Sequence, residues 1–112
     1  MNTPQEKREH QRYAMQLPVH YRTSRKGSIG RWADSVTLEM SSSGVTFRVR
    51  HALPVGSHVE LLIEWPAPHD ELPMELHATG LIVRSNTYKA AVRVTSRHFE
   101  LLNLAQDIRA TA

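Results

Sequence analysis

The sequence predicts a mostly β protein: a six-stranded antiparallel barrel with a C-terminal α-helix. Three observations carry this. Six short runs alternate apolar and polar residues with period two. Glycine, proline, serine and asparagine clusters separate these runs. Only the last segment changes to a helical period, as expected for a small barrel with one helix packed on it.

The first strand is read from Leu17, Val19 and Tyr21, which alternate with Pro18, His20 and Arg22. Pro18 stands near its start, where a missing amide donor does least harm. Residues 23–30, Thr-Ser-Arg-Lys-Gly-Ser-Ile-Gly, are turn chemistry. A second strand follows over 32–38, with Val36 and Leu38 on one face. Val45, Phe47 and Val49 then alternate with Thr46, Arg48 and Arg50 as the clearest half-buried strand. After the turn Leu53-Pro54-Val55-Gly56, a fourth strand carries Val59, Leu61, Ile63 and Trp65 on one face. Pro66, Pro68 and Pro73 mark 66–73 as a surface loop. Leu76, Ala78, Gly80 and Ile82 line the fifth strand, Ser85-Asn86-Thr87 turns the chain, and Ala90, Val92 and Val94 form the sixth.

Leu101, Leu104, Ala105 and Ile108 then fall at i, i+3, i+4 and i+7, the stripe of an amphipathic helix. Ser96 is the expected N-cap, with Glu100 in the first turn. The expected organisation is a flexible polar arm over 1–12, a barrel over 13–97 and a helix over 98–112.

Composition narrows the function. The 112 residues make one domain with a modest core. Fourteen Lys+Arg against eleven Asp+Glu give a formal charge of +3, which favours an anionic partner but does not argue for DNA. The absence of cysteine excludes disulfides, thiolate metal sites and cysteine nucleophiles. The polar N-terminus has no signal-peptide core, and no apolar run approaches a membrane span. A soluble, cytoplasmic chain is expected.

The seven histidines, at 10, 20, 51, 58, 69, 77 and 98, include no pair at helical zinc spacing. No metal site and no cofactor are expected. Ser41 to Ser43 lack the setting of a serine nucleophile, and Asp70 and Glu71 make no supported catalytic pair. No enzyme is read from this sequence.

Two segments have chemistry to offer. In Arg8-Glu9-His10-Gln11-Arg12, two guanidiniums stand four residues apart. An arginine fork matches the O6 and N7 acceptors of guanine, and it also pairs with phosphate. In Glu39-Met40-Ser41-Ser42-Ser43-Gly44, a carboxylate, hydroxyls and a glycine lie between two strand-like runs. The carboxylate can accept from the N1 and N2 donors of guanine, and a glycine lets a ligand approach the backbone. Taken singly, a solvated basic tail and an ordinary polar turn account for the two segments.

In this order, Arg-x-x-x-Arg followed by an acidic residue, x, Ser, x, x, Gly resembles the PilZ domain family. The stretch 39–47 looks like the start of that family's third strand. Residues 53–56, 64–66 and 80–84 are also similar to PilZ segments, so the resemblance spans roughly 6–97. It implies a six-stranded antiparallel barrel and a bacterial receptor for cyclic di-GMP. It further implies that Arg8 and Arg12 grip guanines and phosphates while Ser41 and Gly44 shape the floor of the site. Glu39 stands where the family has Asp or Asn and is one methylene longer.

Two readings follow. In the first, the arm orders over cyclic di-GMP and presents a changed surface to a downstream protein. In the second, the chain is an adaptor that does not bind the nucleotide, because of Glu39. Nucleic acid is not an expected partner: the 45–50 strand carries Arg48 and Arg50 without an exposed aromatic.

Overall fold

The computed structural model describes residues 14–66 and 72–101. Seven strands form one antiparallel sheet: β1 (Pro18–Arg25), β2 (Ser28–Ile29), β3 (Ala33–Met40), β4 (Gly44–Arg48), β5 (His58–Trp65), β6 (Met74–Ser85) and β7 (Lys89–Leu101). The order is β2-β1-β3-β4-β7-β6-β5, and β1 also pairs with β5. That pairing, Val19↔Ile63 through Ser24↔His58, closes six strands into a barrel. Closure leaves β1 with no free edge over this stretch. The two-residue β2 is an extra strand on the other side of β1.

The period-two runs become the core as expected. Val19, Val45, Phe47, Val59, Leu61, Ile63, Ala78, Ile82, Ala90 and Val92 are all buried. Each large side chain removed from water contributes about 1.5–3 kcal/mol. Phe47 is fully buried, and its ring lies 4.7 Å from that of Tyr21. Burial pushes the Tyr21 phenol above its ordinary 10.0, against the opposing pull of Arg50. Of the two tryptophans, Trp65 packs on the core and edge-on to Phe99, while Trp32 lies on the surface under the Arg22 guanidinium.

Three local features depart from simple alternation. On β3 the fully buried residue is Thr37, not an apolar one. Its hydroxyl donates to the Met15 carbonyl and accepts from the Leu17 amide, which satisfies a polar group in the core. At Gly80 an added Cβ would lie 2.2 Å from the Arg93 carbonyl oxygen. The strand register shifts there, and only glycine permits that approach.

The third departure is at the C-terminus. The expected helix would begin at 98, yet β7 continues to Leu101 and Ser96, the expected N-cap, pairs with Thr79. β6 extends as far as Met74, and its backbone donors and acceptors are met by 96–101 as a strand. In this conformation the Phe99 ring also meets Trp65 edge-on, with centroids 5.4 Å apart. The remaining helical positions, Leu104, Ala105 and Ile108, lie outside the described residues, as does the expected arm. No helix among the described residues is long and apolar enough to cross a membrane.

Candidate functional site

The polar hexamer forms the connection between β3 and β4. Glu39 and Met40 end β3, and Gly44 opens β4. The Ser41 amide donates to the Gly44 carbonyl at 2.9 Å. The Ser41 hydroxyl accepts from the Ser43 and Gly44 amides at 3.3 and 3.1 Å. A serine can hold a turn in this way because its oxygen reaches the backbone two and three residues on. Ser41 therefore builds the turn rather than projecting a free hydroxyl. Val94 donates its amide to the Ser43 carbonyl, and the Arg97 guanidinium donates to the Ser42 carbonyl. β7 thus holds the turn from below.

At Gly44 the space for a side chain is tight. The residue pairs with Arg93 on β7, and an added Cβ would stand 3.0 Å from the Val92 carbonyl oxygen. The sequence suggested a glycine that admits a ligand. What it admits here is the neighbouring strand.

Glu39 owes its position to a β-bulge. Thr37 pairs with Phe47 and Glu39 with Thr46, so Leu38 is an extra residue on β3. A bulge resets the alternation and re-aims the side chains after it. Without it, Glu39 would share the inward face of Thr37. With it, Met40 is buried and Glu39 is exposed.

The same part of β3 holds the segment that leads into β1. Besides the two Thr37 side-chain bonds, the Thr37 amide donates to the Leu17 carbonyl at 2.9 Å. Residues 15–17 are thus fastened two residues from Glu39. Arg8 and Arg12 themselves lie outside the described residues. Arg12 stands three positions before Met15 and Arg8 seven, chain lengths of at most about 11 Å and about 25 Å.

Beside the Ser turn opens a cleft of about 1030 Å³, at the upper end of the usual range for small-molecule sites. Glu39, Ser41, Ser43 and Gly44 line it together with Arg84, Asn86, Lys89 and Arg93, from β6, β7 and the turn between them. Val55 and Val83, both exposed, add an apolar rim. Three cations and one carboxylate share this open space, a setting suited to a ligand with both anionic and donor groups.

Of the expected site residues, Glu39, Ser41 and Gly44 therefore stand together on the cleft wall. The sequence does not single out the three cations that share the cleft. Arg93 alternates with the buried Val92 and the half-buried Val94, which gave its outward direction. That β7 lies beside β4 rather than elsewhere was not readable.

A family profile for the PilZ domain matches residues 6–111. No curated protein matches the chain. Among solved structures, it is similar to the Bacillus subtilis Inhibitor of motility (MotI/DgrA), with 15% identity and a TM-score of 0.57. That match covers 94% of this chain and 48% of the other, so the chain spans about half the length of its structural relative. At this identity the likeness speaks for the fold alone.

Proposed function

The chain belongs to the PilZ domain family, a family of cyclic di-GMP receptor domains, and we propose that it binds cyclic di-GMP in the cleft beside the Ser turn. PilZ domains act as binding and effector domains. The observation that carries the reading is the meeting of three elements at one end of the barrel. The Ser41–Gly44 turn, the cationic wall from β6 and β7, and the point where the arm joins the barrel all lie around the end of β3.

The chemistry suits the ligand. Cyclic di-GMP carries two phosphates and two guanines. Arg84, Lys89 and Arg93 supply charge for the phosphates, and Val55 and Val83 offer apolar surface to a base. Glu39 accepts from guanine N–H donors, and Arg8 and Arg12 close over the nucleotide from the arm. Ordering the arm offsets part of the contact energy, and the ordered arm is the changed surface that a downstream protein reads. This reading implies a bacterial, cytoplasmic protein.

The second reading, an adaptor without nucleotide, rests on the extra methylene of Glu39. One titration separates the two. Ligand at a hundredfold excess over its Kd stabilises a receptor by about 2.7 kcal/mol, so the thermal midpoint of the full chain rises with cyclic di-GMP. An unmoved midpoint, restored to a ligand-dependent one by Glu39→Asp, is the adaptor's signature.

A further inference from the structure

Toward the other end of the β6–β7 ladder lies a second set of functional groups. His77 pairs directly with His98, and Glu75 with Glu100. The two imidazole rings lie 5.0 Å apart. His98 Nε2 is 2.7 Å from Glu100 Oε2, and His77 Nδ1 is 3.7 Å from the same oxygen. One ligand atom from each of His77, His98 and Glu100 falls within a 4.8 Å spread. From metal–ligand bonds of about 2.0–2.2 Å, a tetrahedral zinc site needs ligand atoms about 3.3–3.6 Å apart. The observed separations bracket that range.

A fourth residue gives the cluster an outer shell. Glu75 is 1% exposed, and its Oε1 meets His77 Nε2 at 2.9 Å. With the Nε2 proton donated to Glu75, the Nδ1 lone pair of His77 is directed to the cluster. A buried carboxylate that orients a ligating histidine is a common feature of protein metal sites.

We propose that His77, His98 and Glu100 bind a divalent transition metal of the zinc class, with Glu75 as the positioning residue. Two imidazoles and one carboxylate select this class over magnesium or calcium, which prefer all-oxygen shells. Three protein ligands leave a fourth position for water or another donor. The ion ties β6 to β7 five residues along β7 from Arg93 and six along β6 from Val83, about 17–20 Å along the strands. It is a structural clasp outside the cleft lining. The sequence concealed it because 21 positions separate the two histidines and only strand register brings them together.

The alternative is a set of His–Glu pairs, within and between the two strands, that hold no metal. Calorimetric titration of the full chain with Zn²⁺ near neutral pH decides between them. The expected result is one Zn²⁺ per chain, with affinity lowered at least about tenfold by His98→Ala or Glu100→Gln and about 10–100-fold by Glu75→Gln. His98 is exposed, so its replacement leaves the fold intact. His58→Ala, on β5 away from the cluster, is expected to change nothing. Co²⁺ should give an intense tetrahedral absorption spectrum in the wild-type chain that His98→Ala abolishes. Absence of Zn²⁺ binding by the wild-type chain, or equal Zn²⁺ affinity in wild type and His98→Ala, would overturn the proposal.

Discussion

Two turns in this barrel each carry one glycine and use it differently. Both join antiparallel strands: Arg25-Lys26-Gly27-Ser28 joins β1 to β2, and Ser41-Ser42-Ser43-Gly44 joins β3 to β4. At the tip of β1–β2, Lys26 and Gly27 have φ of 52° and 81°, two successive left-handed residues that match the twist of a hairpin. A Cβ on Gly27 would meet nothing within 4 Å. Glycine is there for its dihedral, and the turn stands out in solvent. At Ser41–Gly44, glycine is not left-handed, and a Cβ would press on the Val92 carbonyl. Glycine is there for space, because β7 lies against the turn. One glycine serves a simple reversal and the other a cleft wall. The surroundings make the difference: the Gly27 position faces open space, and the Ser turn has β7 beneath it.

Substitution should separate the two glycines. Gly44→Ala forces β4 away from β7 and costs about 2 kcal/mol, within the range for overpacking. It shows as a lower urea midpoint with unchanged slope, and cyclic di-GMP affinity falls with it. An unaltered midpoint would mean that strand approach does not select this glycine. Next in size, Arg93→Ala removes one cation from the cleft wall. Its effect is about a tenfold loss of nucleotide affinity, equivalent to about 1.4 kcal/mol. Stability barely changes, since the side chain is exposed.

A smaller effect belongs to β1, the strand that leads to the hairpin. Because the folded-state pKa of Tyr21 is raised, the unfolded chain loses that proton first as pH rises. The corresponding stability is complete below pH 10 and declines above it. Tyr21→Phe should flatten that alkaline decline in denaturation curves, and a decline of the same steepness would assign it to other groups. The smallest effect is expected at the hairpin tip. Asparagine tolerates the left-handed region, so Gly27→Asn should shift stability by about 0.5 kcal/mol or less and leave binding as it was. A large loss there would erase the distinction between the turns.

The barrel strands were legible because one face of each is buried, and burial imposes period two on the sequence. Val59-Leu61-Ile63 and Val45-Phe47-Val49 could hardly be read otherwise. Thr37 escaped because a polar core residue carries no periodic signal. Its role depends on Met15 and Leu17, some twenty positions away. The C-terminal stripe misled at 98–101 because Leu101 fits a helical period as well as a strand end, and the unpaired length of β6 decided the matter. Half of the cleft wall was visible in the Ser turn. The other half, Arg84, Lys89 and Arg93, is set by which strands are neighbours, as is the meeting of His77 with His98. Strand neighbourhood is a property of topology, and local pattern does not encode it.

The central claim is that the Ser-turn cleft and the arm together form one nucleotide site. Calorimetric titration of the full chain with cyclic di-GMP, beside Arg8→Ala and Arg12→Ala, tests it most directly. Saturable binding by the wild-type chain, lost in each variant, is the expected result. Affinity unchanged in both variants, or no heat from the wild-type chain at high ligand concentration, would contradict it.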